Sequence, residues 1–136
     1  MYNGKKIIIL SGKIGSGKSF LLNILKENTD TLCVDCDKVV AKIMPLKQRQ
    51  YHLKINGLDF LESLLYPKVR KYILSLIKKT KHKVICIEGI KANKLFPTFT
   101  DVEIVFNVSE KIRKERCLMR GDTLAKFKYF NTLQGK

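Results

Sequence analysis

The sequence has little of what marks membrane-spanning, disordered or repetitive chains. Its longest apolar run, Ile7–Leu10, is far shorter than the roughly 20 residues that cross a bilayer. It has no tract rich in Pro, Gly or Ser, no block of like charge and no internal repeat. The N-terminus leads into a short apolar segment and a glycine loop instead of a signal peptide. We therefore expect a single cytoplasmic domain over residues 1–136, since single domains commonly span about 100–200 residues.

Acidic residues are scarce. The chain has 27 Lys and Arg against 12 Asp and Glu, which gives a net charge of +15 at pH 7. A basic surface attracts polyanions such as nucleic acid, ATP or phosphorylated metabolites. Most of the cations are lysines spread along the whole chain, however, whereas specific readers of phosphates and bases rely on arginine. The composition therefore favours a solvated lysine-rich surface, and nucleic acid is a possible partner that is not favoured.

Cysteine and histidine are too few to complete a zinc site. Cys33 and Cys36 have the CxxC spacing of zinc and thioredoxin-type sites, but the sequence has no second pair of this kind. The two histidines, His52 and His82, lie far from it along the chain. Because this segment also matches the end of a buried strand, where cysteine acts as a small hydrophobic residue, we expect structural cysteines.

Alternating strand and helix patterns predict a three-layer α/β/α domain with a mainly parallel sheet of four strands. The predicted strands are Lys5–Ser11, Leu32–Asp35, Lys83–Glu88 and Asp101–Val108. The predicted helices are Lys18–Glu27, Asp37 to about Met44, Gly57–Leu65, Pro67–Lys79, about 110–120 with Ser109 as its cap, and about 123–133. The first helix has an apolar stripe of Phe20, Leu21, Ile24 and Leu25, whereas residues 46–56 have only a weak pattern. Ligand-binding loops are expected at the carboxyl ends of the strands.

The segment Gly12–Ser19 matches the phosphate-loop pattern G-x-x-x-x-G-K-[ST] in full, between a predicted strand and a predicted helix. Glycines at such positions allow backbone N–H groups to approach phosphate oxygens at the positive end of a helix dipole. Lys18 is expected to contact the β- and γ-phosphates, and Ser19 to offer its hydroxyl to Mg²⁺. The sequence therefore predicts binding of ATP with Mg²⁺, through Gly12, Gly15, Ser16, Gly17, Lys18, Ser19 and the adjoining Phe20.

Three carboxylates lie at or just after the ends of predicted strands and are candidates for chemistry. Asp35 and Asp37 come at the end of the second strand, where one can orient an alcohol acceptor while the other takes its proton. Alternatively, Asp37 caps the next helix and Asp35 is solvated. Glu88 ends the third strand and either holds a water of Mg²⁺ or is simply exposed.

Three arginines recur at spacings of three and four residues. Arg113, Arg116 and Arg120 share one face of a predicted helix, since residues at these spacings are neighbours on a helix surface. The planar guanidinium suits a lid over the triphosphate. The alternative is a solvated basic helix.

Four stretches together give the chain a family resemblance. They are the loop segment Ile7–Ser19, the Asp-x-Asp element in Val34–Ala41, the Leu-x-Pro-x-x-Arg element in Leu64–Arg70, and Arg116–Arg120 followed by Asp122. In this order they resemble the dephospho-coenzyme A kinase family, within the P-loop group of nucleoside-monophosphate-kinase-like proteins, over about residues 6–134. Lys13 stands where the family has a second glycine, and Phe20 where it has Thr.

The resemblance implies ATP-dependent phosphorylation of the ribose 3′-hydroxyl of dephospho-coenzyme A, the final step of coenzyme A synthesis. It implies that Lys18, Asp37 and Arg120 are catalytic, with Asp37 as general base and Arg120 as a lid contact to phosphate. Asp35 and Arg70 would bind the acceptor. A helical segment on the acceptor side would span about residues 38–82, and the lid would span about 109–133. The resemblance also implies a further strand and helix after the lid, which we expect to be absent here because the sequence stops at Lys136. We expect a monomer.

Two alternatives remain open at this point. In the first, the chain is a P-loop kinase for a nucleoside, a nucleotide or a polynucleotide end, which the net charge of +15 would suit. In the second, it is a non-catalytic domain that binds nucleotide.

Overall fold

The computed structural model describes residues 2–28, 30–95 and 100–134. The strands are β1 Lys6–Gly12, β2 Thr31–Asp35, β3 Val84–Gly89 and β4 Val102–Phe106. The helices are α1 Lys18–Asn28, α2 Cys36–Ile43, α3 Leu46–Asn56, α4 Leu58–Lys79, α5 Glu110–Met119 and α6 Leu124–Gln134, with one turn of 3-10 helix at Ala92–Lys94. None of the helices in the described part of the chain combines the length and the hydrophobicity that a membrane span requires.

The four strands form one sheet in the order β2-β3-β1-β4, and every pairing is parallel. The predicted three-layer α/β fold is thereby confirmed. The register pairs Asp35 with Glu88 and Ser11 with Gly89. Because parallel strands end at the same edge, this register brings the acidic ends of β2 and β3 beside the loop that follows β1.

The main core lies between the sheet and helices α2 and α4. Ile7 and Ile9 of β1 and Ile85 and Ile87 of β3 are fully buried. These β-branched residues pack against Val69, Ile73 and Ile77 of α4 and Val39 of α2. A central parallel strand is covered on both faces, so its sequence is a continuous apolar run, as it is in Ile7–Leu10.

Helix α4 is one helix of 22 residues that contains Pro67. The prediction of two helices separated at Pro67 is therefore wrong. Its buried residues recur every four positions on both sides of the proline, at Leu61, Leu65, Val69, Ile73 and Ile77. Burial of this continuous stripe against the sheet and α2 outweighs the helix hydrogen bond lost at proline, which costs about 3 kcal/mol.

The apolar stripe predicted on α1 is only partly buried. Phe20 is 73% exposed and Ile24 is 39% exposed, while Leu21 and Leu25 are half-buried. Phe20 and Ile24 are exposed because only one side of α1 contacts the sheet. The weakly patterned segment after Pro45 is the helix α3, which has no buried residue and packs on α4.

The cysteines belong to the core and its edges. Cys36, Cys86 and Cys117 are buried free thiols, while Cys33 is half-buried. Burial raises the pKa of Cys36, with nearby carboxylates acting in the same direction. A Cβ added to Gly89 would lie only 3.2 Å from the Sγ of Cys36. The first turn of α2 therefore packs closely on the end of β3.

Candidate active site

Residues 12–19 form a wrapped loop between β1 and α1. Gly15 and Gly17 have left-handed backbone angles, with φ of +77° and +99°, which residues with a Cβ rarely adopt. Gly12 is buried under the loop, where a Cβ would lie 2.5 Å from the Ser16 hydroxyl. Such a loop at the start of a helix directs backbone N–H groups and the helix dipole toward one point, which suits a phosphate.

Lys18 and Glu88 form a buried ion pair beside this loop. The Lys18 Nζ lies 3.8 Å from Oε1 of Glu88, and the two residues are 8% and 4% exposed. Burial raises the pKa of Glu88 to about 7; Asp35 and Asp37 also raise it, while Lys18 and a hydrogen bond with Ser19 lower it. The alternative in which Glu88 is exposed is wrong, because β3 is an inner strand flanked by β1 and β2.

Asp35 and Asp37 have separate roles at the start of α2. The Asp35 carboxylate accepts a hydrogen bond of 2.9 Å from the Asp37 backbone N–H, so Asp35 is the N-cap. The alternative in which Asp37 caps the helix is wrong. Desolvation by the surrounding protein, followed by the Asp35 charge, raises the pKa of Asp37, whereas Lys18 and Arg49 lower it. The Asp37 side chain is exposed to solvent, so the rise is moderated, and its direction makes this carboxylate a stronger proton acceptor than an ordinary aspartate.

The loop residues Ile14–Phe20, together with Asp35, Asp37 and Glu88, line one cleft of about 580 Å³, whereas the buried Gly12 does not. Its cations are Lys18, Arg49, Arg116, Arg120 and Lys126, and its carboxylates are Asp35, Asp37 and Glu88. Phe20 adds an exposed aromatic ring to the wall. The cations outnumber the carboxylates, so the cleft favours a polyanionic ligand.

Helix α5 lies against the phosphate loop. The Arg116 Nη1 donates to the carbonyl oxygens of Gly15 and Ser16 at 3.4 and 3.1 Å. Arg120 lines the cleft with about half of its side chain exposed, and its Nε pairs with Asp122 at 2.5 Å. Asp122 also pairs with Lys126 at 3.0 Å. The structure thus brings two of the three predicted lid arginines to the cleft.

Arg113 does not share that position. Its side chain is buried and donates to the Ile14 carbonyl oxygen and to Asn131 of α6. Arg113 and Arg116 both contact the phosphate loop from α5, but the buried Arg113 does not line the cleft, so a lid position is wrong for Arg113. Helical spacing identified the face, but α6 and the phosphate loop cover one part of it and leave the rest open.

Several residues of the cleft carried no recognisable signal in the sequence. Leu46 and Arg49 come from α3, whose pattern is weak, and Lys126 and Phe130 come from α6. Lys126 and Phe130 are four residues apart and therefore share a helix face, but this spacing alone does not indicate a cleft. Their approach to the cleft depends on contacts between residues distant in sequence.

A second, apolar pocket of about 220 Å³ adjoins the cleft. Asp37, Ile90 and Phe130 line both, so the two cavities meet at the candidate general base. The walls are mostly aliphatic, with residues from α2, α4 and the segment after β3, and an ion pair of 2.5 Å between Lys91 and Glu62 lies among them.

Arg70 lies outside the residues that line either cavity. Its Nε donates to the carbonyl oxygen of Leu95 at 2.7 Å, and Leu95 in turn lines the apolar pocket. Arg70 is thus close to the acceptor side through Leu95, and its predicted contact with the acceptor stays a prediction.

Comparisons with known proteins agree with this fold. A family model described as an AAA domain matches residues 8–134. A search with the sequence finds no match among curated proteins. A similar solved structure is that of a Thermus thermophilus protein, with a TM-score of 0.74 and 16% identity, covering 96% of this chain and 80% of that one.

Two further similar structures have lower TM-scores. A gluconokinase from Sinorhizobium meliloti 1021 has a TM-score of 0.63 at 14% identity, covering 96% of this chain and 75% of that one. A chain of the Pnkp1/Rnl/Hen1 RNA repair complex has a TM-score of 0.59 at 16% identity, covering 99% of this chain but 44% of that one. At such identities the likeness establishes the fold alone, which is that of the P-loop kinases.

Proposed function

We propose that this chain, which belongs to the AAA domain family, is a kinase that transfers the γ-phosphate of ATP to an alcohol, the ribose 3′-hydroxyl of dephospho-coenzyme A. The observation that carries the proposal is the convergence of Lys18, Glu88 and Asp37 on one cleft beside the phosphate loop. These residues are distant in sequence and supply, respectively, a cation for phosphate, an acid beside Ser19 and a proton acceptor.

The nucleotide end of the cleft has the groups that a triphosphate needs. Backbone N–H groups of the loop and the Lys18 ammonium would bind the β- and γ-phosphates. Arg116 and Arg120 lie on the α5 side of the same cleft and would offset charge on the transferred group. Phe20, with an exposed ring in the wall of this cleft, would also contact ATP.

Mg²⁺ fits the donor set beside the loop. The Ser19 hydroxyl and the buried Glu88 carboxylate are oxygen ligands of the kind that Mg²⁺ prefers, with Glu88 acting directly or through a bound water. When bound, the ion would neutralise charge on the β- and γ-phosphates.

Asp37 would act as the general base. Its carboxylate takes the proton of the acceptor hydroxyl, the hydroxyl oxygen forms a bond to the γ-phosphorus, and the bond to the ADP oxygen breaks. The raised pKa of Asp37 suits this role, and Asp35 keeps it in place by capping α2 through the Asp37 backbone N–H.

The apolar pocket supports an acceptor with a sizeable uncharged part. A dry cavity of about 150 Å³ can bind benzene, so a pocket of about 220 Å³ has room for a somewhat larger uncharged group next to the reactive hydroxyl. We propose that Arg70 holds Leu95 in the pocket wall on this side and also contacts the acceptor.

The test is an assay of purified protein with ATP, Mg²⁺ and dephospho-coenzyme A, in which 3′-phosphorylated product is detected. Lys18→Ala and Asp37→Asn should each lower kcat/KM by about 100-fold or more, because one removes a phosphate cation and the other the base. Lys26→Ala, on the exposed part of α1, and Asp59→Asn, exposed at the start of α4, are matched controls expected to stay near wild type.

The outcomes separate the candidate functions. Phosphorylation of an oligonucleotide end but not of dephospho-coenzyme A would favour the polynucleotide kinase that the +15 charge suits. Binding of ATP without transfer to any acceptor would favour a nucleotide-binding module. Absence of 3′-phosphorylated product at high enzyme concentration overturns the proposed acceptor.

A further inference from the structure

Arg113 is a buried arginine that the proposed reaction does not use. It is 5% exposed, and its guanidinium has three oxygen partners from three parts of the chain. Nε donates to the Val108 carbonyl oxygen at 3.0 Å, while Nη1 donates to the Ile14 carbonyl oxygen at 3.3 Å and to Oδ1 of Asn131 at 2.8 Å. A buried guanidinium costs free energy unless hydrogen bonds satisfy it, so these three bonds fix the position of the Arg113 side chain.

The positive charge of Arg113 is not neutralised by a direct carboxylate partner among the described residues, so it acts on the adjacent phosphate loop. Its three oxygen partners are uncharged, and a carboxylate enters the network only one step away, where Asn131 Nδ2 donates to Glu110 at 3.0 Å. The Phe127 ring lies 5.9 Å from the guanidinium carbon and covers its other side. A cation in such surroundings is poorly screened and acts on the adjacent loop.

Arg113 and Arg116 together bind three consecutive carbonyl oxygens of the loop, those of Ile14, Gly15 and Ser16. In a trans peptide the N–H points opposite to the C=O of the same unit. Fixing the Ile14 and Ser16 carbonyls toward α5 therefore turns the N–H groups of Gly15 and Gly17 away from the two guanidinium groups.

The backbone of Arg113 restrains the same turn. A Cβ on Gly15 would overlap the Arg113 carbonyl oxygen, so the loop and α5 are in direct contact at this point. Because Asn131 belongs to α6, which lines the cleft through Lys126 and Phe130, the Arg113 network also joins α6 to the loop.

We propose that Arg113 is a positioning residue of the phosphate loop: from outside the nucleotide site it fixes the Ile14–Gly15 peptide and ties α6 to the loop, so that the loop is preorganised for a nucleoside triphosphate. The inference rests on the proposed binding of ATP but not on the identity of the acceptor. Arg113 does not line the cleft and would act through the loop, whereas Lys18, Arg116 and Arg120 line the cleft.

The experiment measures the Kd of a fluorescent ATP analogue with Mg²⁺ on folded wild type, Arg113→Lys, Arg113→Met and Asn131→Ala. Arg113→Met should weaken binding by about tenfold or more, because the loop loses a charged donor. Arg113→Lys keeps the charge but not the fork geometry and should give an intermediate loss. Asn131→Ala, which removes only the α6 contact, should give the smallest loss. Lys111→Met, exposed on the same helix, is the matched control and should leave Kd unchanged.

A readout beyond stability separates positioning from mere packing. In steady-state assays, Arg113 variants should raise the KM for ATP and leave the KM for the acceptor unchanged. A lower melting temperature with an unaltered Kd in the folded Arg113→Lys protein overturns the proposal, and this variant decides the matter if Arg113→Met does not fold. If wild type binds ATP but phosphorylates no dephospho-coenzyme A, the proposed acceptor fails while the role of Arg113 is still tested by binding.

Discussion

At the residue scale, the properties of the cleft depend on the burial of two opposite charges, Lys18 and Glu88. Ions removed from water lose hydration free energy, and attraction to a partner at 3.8 Å compensates for only part of that loss. The pKa of Glu88 near 7 shows the balance: desolvation outweighs the attraction of Lys18. Burial therefore stabilises the protonated form of this carboxyl relative to that of an ordinary glutamate.

The first prediction concerns this carboxyl and stability. Because its pKa is raised on folding, the folded protein holds the proton more tightly than the unfolded chain, so the stabilisation is full below about pH 4.5 and is lost as pH rises to about 7. The free energy of unfolding of wild type minus that of Glu88→Gln should fall by about 3 kcal/mol across this window. Urea unfolding of both proteins from pH 4 to 8, without ligand, measures it; a difference that is flat or rises with pH contradicts the prediction.

The second prediction concerns Arg49, whose charge lowers the pKa of Asp37. Arg49→Gln should raise that pKa further, and because the base must be ionised, the acidic limb of the profile of kcat/KM against pH should move to higher pH. Arg49→Lys keeps the charge and is the control, with a limb close to wild type. An unshifted limb in Arg49→Gln would show that another group limits the reaction at low pH.

At the scale of elements, the contact between α5 and the phosphate loop holds the nucleotide end of the cleft together. Gly15 has no room for a Cβ because the Arg113 carbonyl oxygen occupies that place. Gly121, just after α5, has a similar left-handed φ of +98°, but a Cβ there would meet nothing within 4 Å. Comparing substitutions at the two glycines therefore distinguishes the effect of backbone strain from that of steric contact.

The third prediction compares these glycines. Gly121→Ala should cost about 1 kcal/mol of stability, from backbone strain alone, and leave ATP binding unchanged. Gly15→Ala should push the loop away from α5 and weaken ATP binding by about tenfold or more, in addition to the strain. Calorimetric titration with ATP and Mg²⁺, alongside thermal unfolding, measures both effects. Equal losses of affinity in the two variants would mean that the steric contact is unimportant.

At the scale of the whole molecule, the net charge of +15 acts on the folded state itself. Like charges repel more in the compact chain than in the expanded unfolded chain, so a large net charge lowers stability. Added salt screens this repulsion over a Debye length of about 10 Å at 0.1 M.

The fourth prediction follows from that screening. Raising NaCl from about 20 to about 200 mM at pH 7 should raise the melting temperature by several degrees, since a gain of about 1 kcal/mol moves it by roughly 3–6 °C in a domain of this size. The gain should shrink near pH 9.8, where the net charge approaches zero. A salt effect of equal size at both pH values would point to specific ion binding instead.

The sequence alone determined the features that are local along the chain. Eight contiguous residues, Gly12–Ser19, contain the glycines, lysine and hydroxyl of a phosphate loop, and short apolar runs define the four strands. Neighbouring residues interact at fixed spacings in a helix or strand, so their pattern is readable without knowledge of the fold. The Asp-x-Asp pair was likewise visible from its place after β2.

The tertiary structure alone decided what depends on contacts across the chain. It decided that Glu88 is buried beside Lys18 and that α4 continues through Pro67. It also turned Arg113 inward while Arg116 and Arg120 face the cleft. Burial and the pKa values that follow from it are set by atoms brought together from distant segments, and no local pattern of charge or hydrophobicity specifies which segments those are.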